Sequence, residues 1–150
     1  MKMIKRFCLG VVLLLAAGNA LAIDAIYTSW YDDIAVKGFD TVAYFTENAA
    51  VEGNKAHALE WNGATWRFSC AANKALFEAD PDKYAPQYGG YCAWAVSQNQ
   101  TASIEPEQFT IVGGKLYLNY NQEVKEKWLV DTSANISIGD KNWPGLLAGK

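Results

Sequence analysis

Soft metal ligands are scarce in this chain. Its 150 residues hold three cysteines, two methionines and one histidine, too few for a high-capacity copper carrier built on methionine and histidine. Positive charge is short as well. Thirteen Lys and Arg stand against sixteen Asp and Glu, for a formal charge of −3 and a pI near 5.1. Binding a phosphate backbone needs clustered cations, so nucleic acid is not an expected partner. Several catalytic patterns are missing outright. No Gly-x-Ser-x-Gly elbow, Cys-x-x-Cys pair, Walker loop or dinucleotide glycine pattern occurs, and one histidine would have to serve any hydrolytic triad alone. Long hydrophobic runs are lacking too: no stretch approaches the ~20 apolar residues of a bilayer span.

What is present begins with a leader. Lys2, Lys5 and Arg6 precede an apolar run from Phe7 to Ala17, and Ala20-Leu21-Ala22 supplies small residues at the cleavage positions. This order reads as a secretory signal peptide over residues 1–22, with a periplasmic or secreted product and no membrane span in the mature chain. Cys8 sits inside the apolar run rather than just after it, which argues against a lipid anchor. Cleavage would remove three basic residues and no acidic one, taking the charge from −3 to −6. It would also remove both methionines and leave Cys70, Cys92 and His57 as the soft ligands. With no repeat, low-complexity tract or linker, residues 23–150 read as one domain.

Leu59-Glu60-Trp61, Asn62-Gly63 and Ala64–Phe68 read as a hairpin, because Asn-Gly tolerates the positive φ of a tight turn. Ser69 is placed to cap a helix running to about Ala79, with Ala72, Ala75, Leu76 and Ala79 on one face. Asp80-Pro81 ends that helix. Tyr84–Tyr91, with Pro86 and Gly89-Gly90, is expected to be irregular. Cys92–Val96 suits either a short buried strand or one helical turn. Phe109–Val112, Gly113-Gly114 and Lys115–Tyr120 form a second hairpin signal, with Leu116, Leu118 and Tyr120 on one face. Asn121 is placed to cap a helix to about Val130, with Val124 and Trp128 inward and Glu123 paired with Lys127 outward. The tail from Ser133 has room for a short helical turn and closes with Trp143-Pro144. Two hairpins with two or three short helices make the fold α+β.

Several separated blocks are similar to the YHS domain family. They are Gly38–Phe45, Trp61–Phe68, Phe77 through Pro81 to Tyr84, Ala85–Ala93 and Gly114–Asn119. The last two look like the exported, single-domain branch, and the resemblance runs over roughly residues 34–145. It implies a small α+β fold and a link to metal handling, since shorter relatives occur in copper-transporting ATPases with paired cysteines as the ligands. The cysteines do not carry over. Ala43, Ser69 and Asn73 stand at the three matching positions, and Cys70 is displaced by one residue, which turns a helical side chain by roughly 100°.

Chemistry is left with few candidates. Cys70 and Cys92 suit a disulfide in an exported chain. Alternatively, Cys70 is a thiol at a helix start and Cys92 a reactive or metal-binding thiol beside the glycine loop. A metal site would draw on Cys92, Cys70 and His57 and hold at most one ion of copper type. Trp61, Trp66, Phe68 and Phe77 read as core. Tyr44, Tyr88, Tyr91 and Trp94, the last three flanking a glycine-containing segment, either line a small-molecule pocket or pack that loop down. The leading reading is an exported binding or accessory module. In it a face of Asp40, Tyr44, Tyr88 and Cys92 holds a small ligand or one metal ion. The rival is an interaction module for an envelope protein, stapled by a Cys70–Cys92 bond. An enzyme, including a thiol redox enzyme, is the weaker reading.

Overall fold

The computed structural model describes residues 21–150. The leader expected over residues 1–22 falls outside these apart from Leu21 and Ala22. Asn62 and Gly63, at φ 49° and 80°, close the tight turn between β1 (Asn54–Trp61) and β2 (Ala64–Phe68). Alternation on β2 turns Ala64, Trp66 and Phe68 into the core. Gly113 and Gly114 close the second hairpin, β3 (Phe109–Val112) with β4 (Lys115–Leu118). The described residues thus form two antiparallel two-stranded sheets and six α-helices, an α+β fold. None of these helices is long and apolar enough to cross a membrane.

Strand β4 divides the interior. Leu116 and Leu118 point into a first core with Trp66, Phe68, Phe77, Tyr44 and Val42. Tyr117, between them, points the other way into a second core with Tyr88, Val96 and Trp128. The first core is roofed by α1 (Thr41–Thr46), α2 (Ala71–Ala79) and the single turn α3 (Pro81–Tyr84). The second lies among α4 (Ala93–Ser97), α5 (Gln122–Leu129) and α6 (Thr132–Leu147). Asn121 caps α5 by accepting from the Val124 amide at 2.9 Å, and Glu123 pairs outward with Lys127 at 2.8 Å.

Three sequence expectations are corrected, and one left open is decided. Helix α2 begins at Ala71 behind Cys70, and its alanine face looks outward: Ala72, Ala75, Leu76 and Ala79 are exposed. Phe77 turns inward instead, with ring centroids 4.9 Å from Trp66 and 5.1 Å from Phe68, because one phenyl ring buries more apolar area than methyl groups do. Strand β4 stops at Leu118, so Tyr120 stays exposed. Cys92–Val96 resolves to a helical turn, α4.

The tail is one 16-residue helix rather than a turn. Its own residues are poor helix formers, and tertiary bonds hold it. Asn135 donates to the Trp128 carbonyl at 2.8 Å, closing the α5–α6 junction. Asn142 donates to the Val96 carbonyl at 2.9 Å, at the end of α4. Gly139 leaves room for Tyr88, whose hydroxyl would lie 2.7 Å from a Cβ there.

Candidate functional site

Asp40 is delivered into the first core by an unusual turn. Val36, Lys37 and Gly38 are consecutive left-handed residues, at φ 49°, 52° and 83°. A β-branched residue rarely adopts that conformation. The turn is locked on both sides: Ile34 bridges Thr65, Phe39 bridges Glu52, and the Asp40 amide donates to the Val51 carbonyl at 2.8 Å. The reversed chain thereby turns the Asp40 carboxylate, fully buried, toward the start of α1.

Both carboxylate oxygens are occupied. Oδ1 accepts from the Val42 and Ala43 amides, at 2.9 and 3.2 Å, and so caps α1. Oδ2 accepts from the Ser69 amide at 2.8 Å, the Ser69 hydroxyl at 2.7 Å and the Asn73 amide group at 2.8 Å. Five donors meet a group with about four lone-pair positions, so it is saturated. One side chain ties the starts of α1 and α2 to the end of β2.

This corner is where the resemblance places the family's cysteines, and a thiophilic ion does not fit it. Ala43 offers no ligand atom, and the Ser69 and Asn73 groups are spent as donors to Asp40. Residues 42–88 match the YHS domain. The match runs from Val42 in α1 through α3 and ends at Tyr88, a shorter stretch than the residues 34–145 read from sequence. No curated protein and no solved structure matches the chain significantly.

The other candidates do not converge. Cys70 and Cys92 are free thiols, which corrects the expected disulfide. Cys70 is exposed at the start of α2, whereas Cys92 is buried in the first core, its thiol donating to Asn119 Oδ1 at 3.5 Å. One sulfur faces water and the other faces the interior, so no bond joins them. His57 lies half-exposed in the bulged part of β1. Among the described residues no three His, Cys, Asp or Glu side chains are grouped to hold a metal ion, so Cys92, Cys70 and His57 are not brought together. Burial pushes the Cys92 thiol above its ordinary pKa of 9.0, outweighing nearby amides of Ala95, Tyr120 and Trp94 that favour the thiolate.

The aromatic candidates are each tied down by the chain itself. Tyr44 is buried against Phe109 and donates to the Pro106 carbonyl at 2.8 Å. Burial, helped by Glu107 and Asp40, raises its pKa. Tyr88 lies in the other core and donates to Asp140 at 2.9 Å; burial and that bond raise its pKa. Tyr91 donates to the Asp24 carbonyl at 3.1 Å, and the Trp94 amide donates to Asn119 Oδ1 at 3.0 Å. At Gly89 the glycine loop is met by backbone. A Cβ on Gly89 would sit 1.9 Å from the Ala25 carbonyl oxygen, and the Tyr27 amide donates to the Gly89 carbonyl at 2.8 Å. The segment Ala25–Tyr27 therefore straps the loop. Asp40, Tyr44, Tyr88 and Cys92 do not form one face.

Sequence reasoning missed Asn119, Asp140 and the strap. Asn119 directly follows the β4 alternation; it is fully buried, and among the described residues its Nδ2 has no hydrogen-bond partner. Asp140 and Ala25 carried no local signal, since their partners lie 52 and 64 positions away.

Proposed function

We propose that this chain is an exported binding module of YHS type whose family ligand corner has become a structural hub. The observation that carries the reading is the saturated Asp40 carboxylate, with Ser69 and Asn73 standing where metal-handling relatives have cysteines. Such a corner specifies the fold and leaves recognition to another part of the surface. Export rests on the leader pattern of residues 1–22. The interaction-module alternative loses its staple, because both thiols are free. The reading of one copper-type ion at Cys92 is the weaker one, since a single buried thiol without a second soft ligand makes a poor site.

Native mass spectrometry of protein purified from its own envelope tests the reading. The chain should begin at Ile23, carry two reduced cysteines and hold no stoichiometric copper or zinc. One copper per chain, lost on Cys92→Ser, would overturn it in favour of a metal module. Full-length protein recovered from the cytoplasm of its host would remove the export half.

A further inference from the structure

The strap continues into a cleft. After Tyr27 is pinned to the Gly89 carbonyl, the chain turns at Ser29–Asp32, where the Asp32 amide donates to the Ser29 carbonyl at 3.3 Å. The turn lifts Trp30 and Tyr31 into solvent, 94% and 70% exposed, with their rings edge to face at 5.4 Å. Indole and phenol rings left in water forgo a large apolar burial. Tyr27 forms the inner wall, its ring 5.2 Å from that of Tyr91. Tyr27, Trp30 and Tyr31, with Thr28 and Ser29, line an open hollow of about 750 Å³.

Its rim carries both signs of charge. Asp24, Asp32 and Lys37 line the cavity, and none of the three belongs to an ion pair among the described residues. Lys37 stands at the middle of the left-handed turn that delivers Asp40, so the same reversal that buries the carboxylate exposes the ammonium. Asp32 Oδ1 accepts from the Ile34 amide at 3.1 Å, which fixes the carboxylate and leaves Oδ2 free.

The mixed rim selects among ligand chemistries. A quaternary ammonium would gain from the rings and the two acids but meet Lys37. An anion would gain from Lys37 and meet both acids. A plain aromatic would cover the rings and leave every rim group unmatched. A neutral sugar suits all of them. Its hydroxyls donate to carboxylates and accept from an ammonium, while its C–H face lies on an indole. Resting on the binding-module reading, we propose that the Tyr27–Trp30–Tyr31 cleft is a binding site for a neutral saccharide.

The test is NMR titration of the purified protein with maltotriose, cellotriose and triacetylchitotriose, with tetramethylammonium and copper alongside. At least one oligosaccharide should shift the Trp30 indole N–H saturably and leave those of buried Trp66 and Trp128 in place. Trp30→Ala, a substitution of a side chain in solvent, should weaken binding about tenfold, or about 1.4 kcal/mol. Lys37→Asn, which keeps a residue tolerant of positive φ, should also weaken it. Silence of Trp30 toward all three sugars would overturn the proposal. So would tetramethylammonium binding that strengthens in Lys37→Asn, an outcome that leaves the binding-module reading standing. One tightly held copper per chain with a silent cleft would overturn both.

Discussion

Replacing Asp40 tests whether the corner is built for the fold. Asp40→Ala strips the acceptor from five donors. Two are the second and third amides of α1, and losing a helix cap costs about 0.5–2 kcal/mol. The other three come from Ser69 and Asn73. Bonds to a charged acceptor are worth about 1.5–3 kcal/mol each, but the loss is not the full sum, because Asn73 already lies 3.5 Å from the Ser69 hydroxyl and can turn to it. A net loss of about 4 kcal/mol is expected, a large share of the ~5–15 kcal/mol of a whole domain. Asp40→Asn keeps the shape and the cap oxygen but turns an amide donor toward the Ser69 and Asn73 donors, for about 2–3 kcal/mol. Ser69→Ala removes one bond and leaves Oδ2 two donors, for about 1 kcal/mol. Urea unfolding followed by tryptophan fluorescence gives all three, since Trp66 reports the adjoining core. The order Asp40→Ala, Asp40→Asn, Ser69→Ala is the signature of a hub. Asp40→Asn within about 0.5 kcal/mol of the parent would refute it. A stabilised Asp40→Asn would refute it more sharply, because residues kept for function often cost stability.

Gly89→Ala should release the strap, costing on the order of 2 kcal/mol for the left-handed backbone and the clash with Ala25. Hydrogen exchange at the Tyr27 amide should quicken, and unchanged protection would contradict the contact. In native protein one thiol, Cys70, should react promptly with a disulfide reagent, and two after denaturation; no reactive thiol in either state would restore the bond. Burial raises the Cys92 pKa, so its contribution to stability is complete below the unfolded thiol's range near pH 9.0 and is lost as pH rises through the higher folded value. Cys92→Ala should therefore lose less stability than the parent between pH 7 and pH 10, and an equal loss would show that the thiol is not the titrating group. Asn142→Ala should cost about 1 kcal/mol by freeing α6 from the Val96 carbonyl, read from the thermal midpoint; an unchanged midpoint would mean that the contact does not hold the helix.

Local chemistry determined the two hairpins, the Asn121 cap, the Glu123–Lys127 pair and the α+β class. Each rests on residues a few positions apart: a turn that needs positive φ, an alternation of apolar side chains, a capping oxygen beside free amides. The YHS resemblance was legible for the same reason, since its blocks are short and contiguous. Tertiary structure decided everything that joins distant positions. Ala72, Ala75 and Leu76 made a plausible inner face, yet a single phenyl ring opposite Trp66 outweighed them. The α6 residues predict little helix, and the helix exists because Asn135, Gly139 and Asn142 meet Trp128, Tyr88 and Val96. Asp40 gave no sign of its partners 29 and 33 positions away. Gly89 and Gly90 announced a close approach without saying that the chain's own Ala25 would make it. Hydrogen bonds and van der Waals contacts act over a few ångströms of space, whatever the separation along the chain. The segment that matches the YHS domain was therefore visible in the sequence, while the five donors gathered on Asp40 and the hollow at Trp30 were visible only once the chain had folded.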